Sequence, residues 1–377
     1  MKNVYIVIVA LLCVVLPTRV FAETASEKYT QKEVIEVLIV PGHDVDFPGA
    51  IYSSTKEADM TLALALKIQN ELQSNPLFSV TVARTNEGYI PELVQYFKNV
   101  DEISAFRETH TQNTRKAVEQ GDVSSIDGVV HNNAPSTVVT RLYGINKWAS
   151  EQGFDMVVHI HFNDVFPRVS DQQGDATGFA VYVPGPSLPN NKESLLLGNA
   201  VGERLKKSFL ITNHLLEQQF ANENGVIEDE KLIALGANGT LAIPSILVEY
   251  GYLYEKALEK EFFPLTTDVM SKATVEGLLQ YSSGSETLNN NLYYTWNDTL
   301  RKNIMYKKNS SVLALQYALH ELGLYPSEKG HEASHFDGIF GSVTYNAVKN
   351  FQNEYELVSD GIIGPASRKI LNSLFSH

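Results

Sequence analysis

Short apolar runs alternate with helical patterns between residues 34 and 281, and that alternation narrows the fold more than any single motif does. Residues 34–40, 79–83, 156–161, 179–183 and 243–248 read as strands. The first, third and last of these are rich in Val, Ile and Leu, as expected of strands buried on both faces. Residues 58–72 form a helical stretch that is apolar on most sides, residues 138–148 form a second, and Leu197, Val201, Leu205 and Phe209 recur every four residues along a third. Strands and helices in this order predict an α/β domain, a mostly parallel twisted sheet flanked by helices, over residues 34–281. Residues 86–135 fit the alternation poorly. They are polar, with helical patches near 93–97 and 103–118, and read as an insertion. Residues 282–311, rich in Ser, Asn, Thr and Lys, read as a linker.

The remaining stretch, residues 312–375, predicts a small three-helix module. Val312, Leu315, Leu319 and Leu322 share one helix face, Ala347, Val348, Phe351 and Tyr355 a second, and Ile370, Leu371 and Leu374 a third, with Pro365 placed at a helix start. The pentapeptide Asp337-Gly338-Ile339-Phe340-Gly341 recurs 23 residues later as Asp360-Gly361-Ile362-Ile363-Gly364. Each copy is a glycine turn leading into a helix.

The first 22 residues have the layout of a secretory signal peptide: Lys2, an apolar run over 4–16, Val20-Phe21-Ala22 as a cleavage site, and polar sequence from Glu23. An uncleaved N-terminal anchor is the alternative. The single cysteine, Cys13, lies inside that run, so a processed chain has no disulfide and any metal site must use His, Asp or Glu. Cleavage removes Lys2 and Arg19 and no acid, which takes the formal charge from −14 to −16. A chain this acidic gains no attraction to nucleic acid or to anionic membranes, and both are excluded as main partners. No later stretch is apolar enough to predict a membrane span in the mature chain.

Three of the strands end in groups that bind metals or move protons. Residues 37–42 run into His43, residues 156–158 into His159 and His161, and residues 246–248 into Glu249, while Glu57 opens the helix after the first strand. Ligands of open α/β sheets bind beyond the carboxyl ends of strands. If these strands are parallel neighbours, imidazoles and a carboxylate meet there, and two His with one carboxylate is a catalytic zinc arrangement that leaves Glu249 free as a base. Each residue also has a plainer reading. Glu57 lies three residues after Ser54 and completes the pattern of a capping box. His43 can be a turn residue, and His159 and His161 face the same side, so spacing alone leaves open which of them binds metal, or whether either does. Glu249 can be a buried partner of an arginine such as Arg84 or Arg141. His331 and His335 sit among glycines and polar residues and read as a solvated loop rather than a metal site.

Taken together, the motifs resemble the zinc-dependent N-acetylmuramoyl-L-alanine amidases of the type-3 family. Pro41-Gly42-His43-Asp44, residues 57–63, Val82-Ala83-Arg84-Thr85, Ile160-His161-Phe162-Asn163 and residues 244–253 are similar to that family's segments and follow its order. The resemblance implies that His43, Glu57 and His161 bind Zn²⁺ and that Glu249 is catalytic. The family's usual Gly-Gly after the first histidine is replaced here by Asp44-Val45, and its serine at position 159 by His159. Residues 312–375 resemble a peptidoglycan-binding domain through Asp337-Gly338, Phe340-Gly341, Thr344, Ala347-Val348 and Phe351-Gln352. The implied function is that of a secreted hydrolase, periplasmic or extracellular, cleaving the amide between N-acetylmuramic acid and L-alanine of peptidoglycan, with or without an activator protein. A zinc peptidase acting on the stem peptide, or a wall-binding protein without catalysis, are the alternatives.

Overall fold

The structure, a computed structural model, describes residues 23–120, 136–165, 168–169, 171–186, 188–230, 232–236, 243–285, 289–302, 307–326 and 336–376. The signal-peptide reading with Cys13, the end of the insertion, and His331 with His335 lie outside the described residues. In chain order the elements are α1 (Ala25–Gln31), β1 (Ile35–Pro41), the hairpin β2 (Ile51–Tyr52) and β3 (Thr55–Lys56), α2 (Glu57–Leu72), β4 (Phe78–Val82), α3 (Pro91–Tyr96), α4 (Val100–Gln120), α5 (Ser136–Gln152), β5 (Met156–Asn163) and β6 (Ala180–Pro184). They continue with α6 (Asn191–Ser208), α7 (Leu215–Gln218), β7 (Val226–Asp229), α8 (Ile233–Gly236), β8 (Ser245–Tyr252), α9 (Phe263–Ser283), α10 (Ser310–Glu321), α11 (Ser342–Glu354) and α12 (Pro365–Phe375).

Six strands form one sheet in the order β4-β1-β5-β8-β6-β7. β4, β1, β5 and β8 run parallel, β6 is antiparallel to β8, and β7 is parallel to β6. The sheet is therefore mostly parallel, as the alternation predicts. One face packs on α2, α6 and α9 through Met60, Leu64 and Ile68, through Leu197, Val201 and Leu205, and through Met270 and Ala273. The other face packs on α5 through Ile145, Trp148 and Ala149 against Leu38, Val40 and Val157. Strands covered on both sides have no polar face, which is why they show in the sequence as continuous apolar runs. Among its described residues the insertion is helical: α3 and α4 lie against α5 through Leu93 and Ile103.

The described part of residues 282–311 is not a free tether. Leu292, Trp296 and Leu300 are buried, Tyr294 and Trp296 bond to Phe375 and Asn372 of α12, and Leu300 bridges Ile363. The C-terminal helices also pack onto the sheet domain: Tyr317 meets Phe209, its hydroxyl bonds Thr266, and Gly338 lies so close to the Phe262 ring that a Cβ there would come within 2.3 Å of it. Burying these aromatic side chains removes enough apolar surface to dock the two parts into one hydrophobic cluster. Among the described residues, no helix is long and apolar enough to cross a membrane.

The repeated pentapeptide has a structural role. In the first copy, Gln316 donates to Asp337 and to the Ile339 carbonyl and accepts from the backbone of Asp337 and Gly338. In the second, Gln352 donates to Asp360 and to the Ile362 carbonyl and accepts from Gly361. Thr344 and Ser367 complete the two networks. Each glycine, at φ +66° and +71°, adopts the left-handed turn that frees its N–H for the glutamine.

Candidate metal centre

β1, β5 and β8 are adjacent and parallel, so their carboxyl ends open on one cleft. The chain leaves β1 through Pro41 and Gly42 and places His43 in a left-handed conformation at φ +64°. Gly42 has to be glycine, because a Cβ would lie 2.3 Å from the His161 ring. Gly49 is equally confined, with a Cβ 2.5 Å from Glu57 and 2.6 Å from His43. Glu57 is the first residue of α2, but its helix has no side-chain cap. The capping-box reading with Ser54 is therefore set aside: the carboxylate turns inward, with Oε2 3.0 Å from His43 Nε2 and Oε1 3.1 Å from His161 Nδ1. The backbone N–H groups of Ala50 and Phe162 also donate to it. The structure thus brings His43, Glu57 and His161 together, with one ligand atom from each inside a span of 4.8 Å.

This donor set fits a divalent metal. Two imidazoles and a carboxylate are the donor types of a catalytic zinc site, and all three residues line the cleft. Burial by itself would raise the Glu57 carboxyl, yet the hydrogen bonds and charges of His161 and His43 hold it far below the usual carboxylate range. An anionic carboxylate between two imidazoles is ready to ligate.

The turn is braced from below. Arg84 is buried and donates to the carbonyls of Pro41, Gly42 and Ala58 and to the Thr61 hydroxyl, tying the end of β1 to the first turn of α2. Asp44 accepts from the backbone of Asp46 and Phe47 and pairs at 2.7 Å with Arg141 of α5. Neither arginine is the partner of Glu249, so the ion-pair reading of that residue does not hold. Glu249 stands level with His161 in the β5–β8 register, and parallel neighbours at one level point to one face. Its Oε2 is shielded from solvent with no hydrogen-bond partner among the described groups. Burial, and then the charges of Glu57 and Glu217, push it well above the ordinary carboxylate range.

Sequence reasoning misses Glu217. It sits on the four-residue α7 and is buried, accepting from Asn163, Tyr182, Tyr252 and Thr212 at 2.6–2.8 Å. These four donors surround the carboxyl group, and the bond to it fixes Asn163, which lines the cleft. The exposed Leu215 and Leu216 beside it carry no sign of this role. His159 also lines the cleft, but two residues below His161, and neither of its ring nitrogens has a partner among the described groups. Burial pushes it down to about 3, so the ring is neutral.

Fold and site define an α/β protein with a metal-type donor set at the carboxyl ends of parallel strands. The profile of the family described as N-acetylmuramoyl-L-alanine amidase matches residues 37–279, and the chain belongs to that family. A second profile, described as "Putative peptidoglycan binding domain", matches residues 308–371. A Bacillus licheniformis protein named probable N-acetylmuramoyl-L-alanine amidase is 43% identical over 67 residues, 18% of this chain and 19% of that protein. The shared stretch is thus about a fifth of that relative's length. Among solved structures, the chain is similar to an N-acetylmuramoyl-L-alanine amidase from Clostridium difficile 630 (18% identity, 66% of this chain, 97% of that one, TM-score 0.42). It is also similar to the CwlD amidase of Clostridioides difficile, solved in complex with the GerS lipoprotein (20% identity, 67% and 100%, TM-score 0.42).

Proposed function

We propose that this protein is a zinc-dependent N-acetylmuramoyl-L-alanine amidase, acting on peptidoglycan outside the cytoplasm after removal of residues 1–22. The observation that carries the reading is the position of Glu249 beside the His43–Glu57–His161 cluster in a chain of this family. His43, Glu57 and His161 would hold the ion, and zinc in such a site supplies Lewis acidity, polarising a carbonyl and lowering the pKa of water. Glu249 takes the proton from the attacking water and delivers it to the nitrogen that leaves as the amine of L-alanine. A raised carboxyl suits this exchange, and a cation in the cluster favours its charged form and so keeps it in working range. Asn163, held by Glu217, and the turn braced by Arg84 keep the cleft in one geometry.

In this reading residues 34–281 are the catalytic domain, with its insertion at 86–135, and residues 312–375 are a wall anchor. Digestion of purified sacculi with mass analysis of the products tests it. Amidase action releases intact stem peptides with a free L-alanine amine, stops with a chelator and returns with zinc. Cuts inside the stem peptide would replace the reading with a peptidase, and retained sacculus binding without products would replace it with a binding protein.

A further inference from the structure

The cleft does not end at the metal cluster. It is a cavity of about 350 Å³ that continues beneath it, between the sheet and helices α5 and α8. Its floor is one row across three strands: Val40 on β1, His159 on β5 and Leu247 on β8 are register partners. His161 and Glu249 form the row above, two residues further along each strand, at a rise of roughly 7 Å. Ile145 and Leu142 of α5 cover the floor from the opposite side. The lower chamber is therefore aliphatic, with one buried imidazole whose two ring nitrogens are unpartnered among the described groups. An imidazole buried in this state carries a desolvation cost that leucine at the same position would not.

We propose that this chamber is a specificity subsite for a methyl-bearing secondary amide of the substrate, seated by Val40, Leu247 and Ile145 and hydrogen-bonded by His159. The proposal rests on the amidase reading and deepens it. A roughly 7 Å drop from the reacting row suits a group a few bonds from the scissile amide. Two parts of the substrate have that chemistry: the acetamido group of the muramoyl sugar, and the L-alanine residue with its methyl and the peptide bond that follows. The metal ligands do not distinguish substrates by these groups; the chamber does.

Three soluble muramoyl-tripeptides test this with the zinc-loaded full chain: the parent, one lacking the sugar acetyl group, and one with glycine in place of L-alanine. The expected result is a loss of about tenfold or more in kcat/KM for one of the two trimmed substrates, the scale on which a pocket reads a missing methyl, and the trimmed group that matters names the source. His159→Leu should shrink that preference to within about threefold while keeping zinc, with the thermal midpoint unchanged or higher. Ile145→Phe, which fills the chamber from α5, should shrink it in the same way. Equal rates on all three substrates, or a preference kept in full by both variants, would overturn the subsite and leave the amidase reading standing. If none of the three is cleaved, the amidase reading fails and the subsite with it.

Discussion

Gln316 and Gln352 in the C-terminal helices, and His159 and Glu249 under the cleft, are polar groups largely shut away from water, and the protein treats the two pairs in opposite ways. Each glutamine is bonded on both its oxygen and its nitrogen by its own glycine turn. The imidazole and the carboxylate oxygen Oε2 have no partner among the described groups. A satisfied buried network fixes a fold, and its stabilisation is modest until one member is removed. An unsatisfied buried group costs stability, and when it lines an open cleft its partner comes from outside. The C-terminal repeat is therefore fold, and the unpartnered groups on β5 and β8 are, in the proposed reading, function.

That contrast can be broken at several points. The largest effect is expected at the cluster. His43→Ala or His161→Ala should take zinc from about one per chain to near none and turnover to background, because two remaining ligands do not hold the ion. Full occupancy in both variants, read by metal analysis, would remove these residues as ligands. Next, Gln316→Leu and Gln352→Leu should each cost about 2–4 kcal/mol, since the first leaves the turn N–H groups of Asp337 and Gly338, and the second that of Gly361, without their acceptor. Denaturant unfolding checks this, and a loss below about 0.5 kcal/mol in both would mean the repeat is not what holds the helices.

A smaller and pH-dependent effect is expected at the junction of the two parts. Glu321 of α10 accepts from Ser208 of α6 and from the backbone of Asn291 and Leu292, and burial pushes it up to about 7 in spite of these bonds and the nearby Lys207 charge. Its folded value lies above its ordinary one of 4.5. The associated stability is therefore intact below about pH 4.5 and is lost as pH rises through 7, by at most about 3 kcal/mol. Unfolding at pH 5 and at pH 8.5 should show this loss in the parent and little of it in Glu321→Gln. Parallel pH profiles for the two proteins would contradict it.

The strands that carry the site are legible in the sequence because parallel strands covered on both faces leave unbroken apolar runs, and the chemistry begins where the runs stop: Val40 before Pro41 and His43, Val158 before His161, Val248 before Glu249. Other parts leave no such trace. β7 has only Val226 and Ile227 as apolar residues and lies at the sheet edge. Arg84 bonds mainly carbonyl oxygens, which any residue supplies, and no acidic partner among the described residues marks it. The buried Leu292, Trp296 and Leu300 recur every four residues, but the described part of their segment is irregular rather than helical, and its composition reads as a linker. The lower chamber needs the register between β1, β5 and β8, a relation between residues far apart in the chain.

Glu249→Gln joins both sides of the contrast in one variant. Turnover and thermal midpoint should be measured together on zinc-loaded protein. If Glu249 is held in the cleft for proton transfer at a cost to the fold, turnover falls by about 10²–10⁴-fold, zinc stays bound, and the midpoint is unchanged or higher. A variant that turns over near the parent rate and melts at a lower temperature would make Glu249 a structural residue and contradict the account.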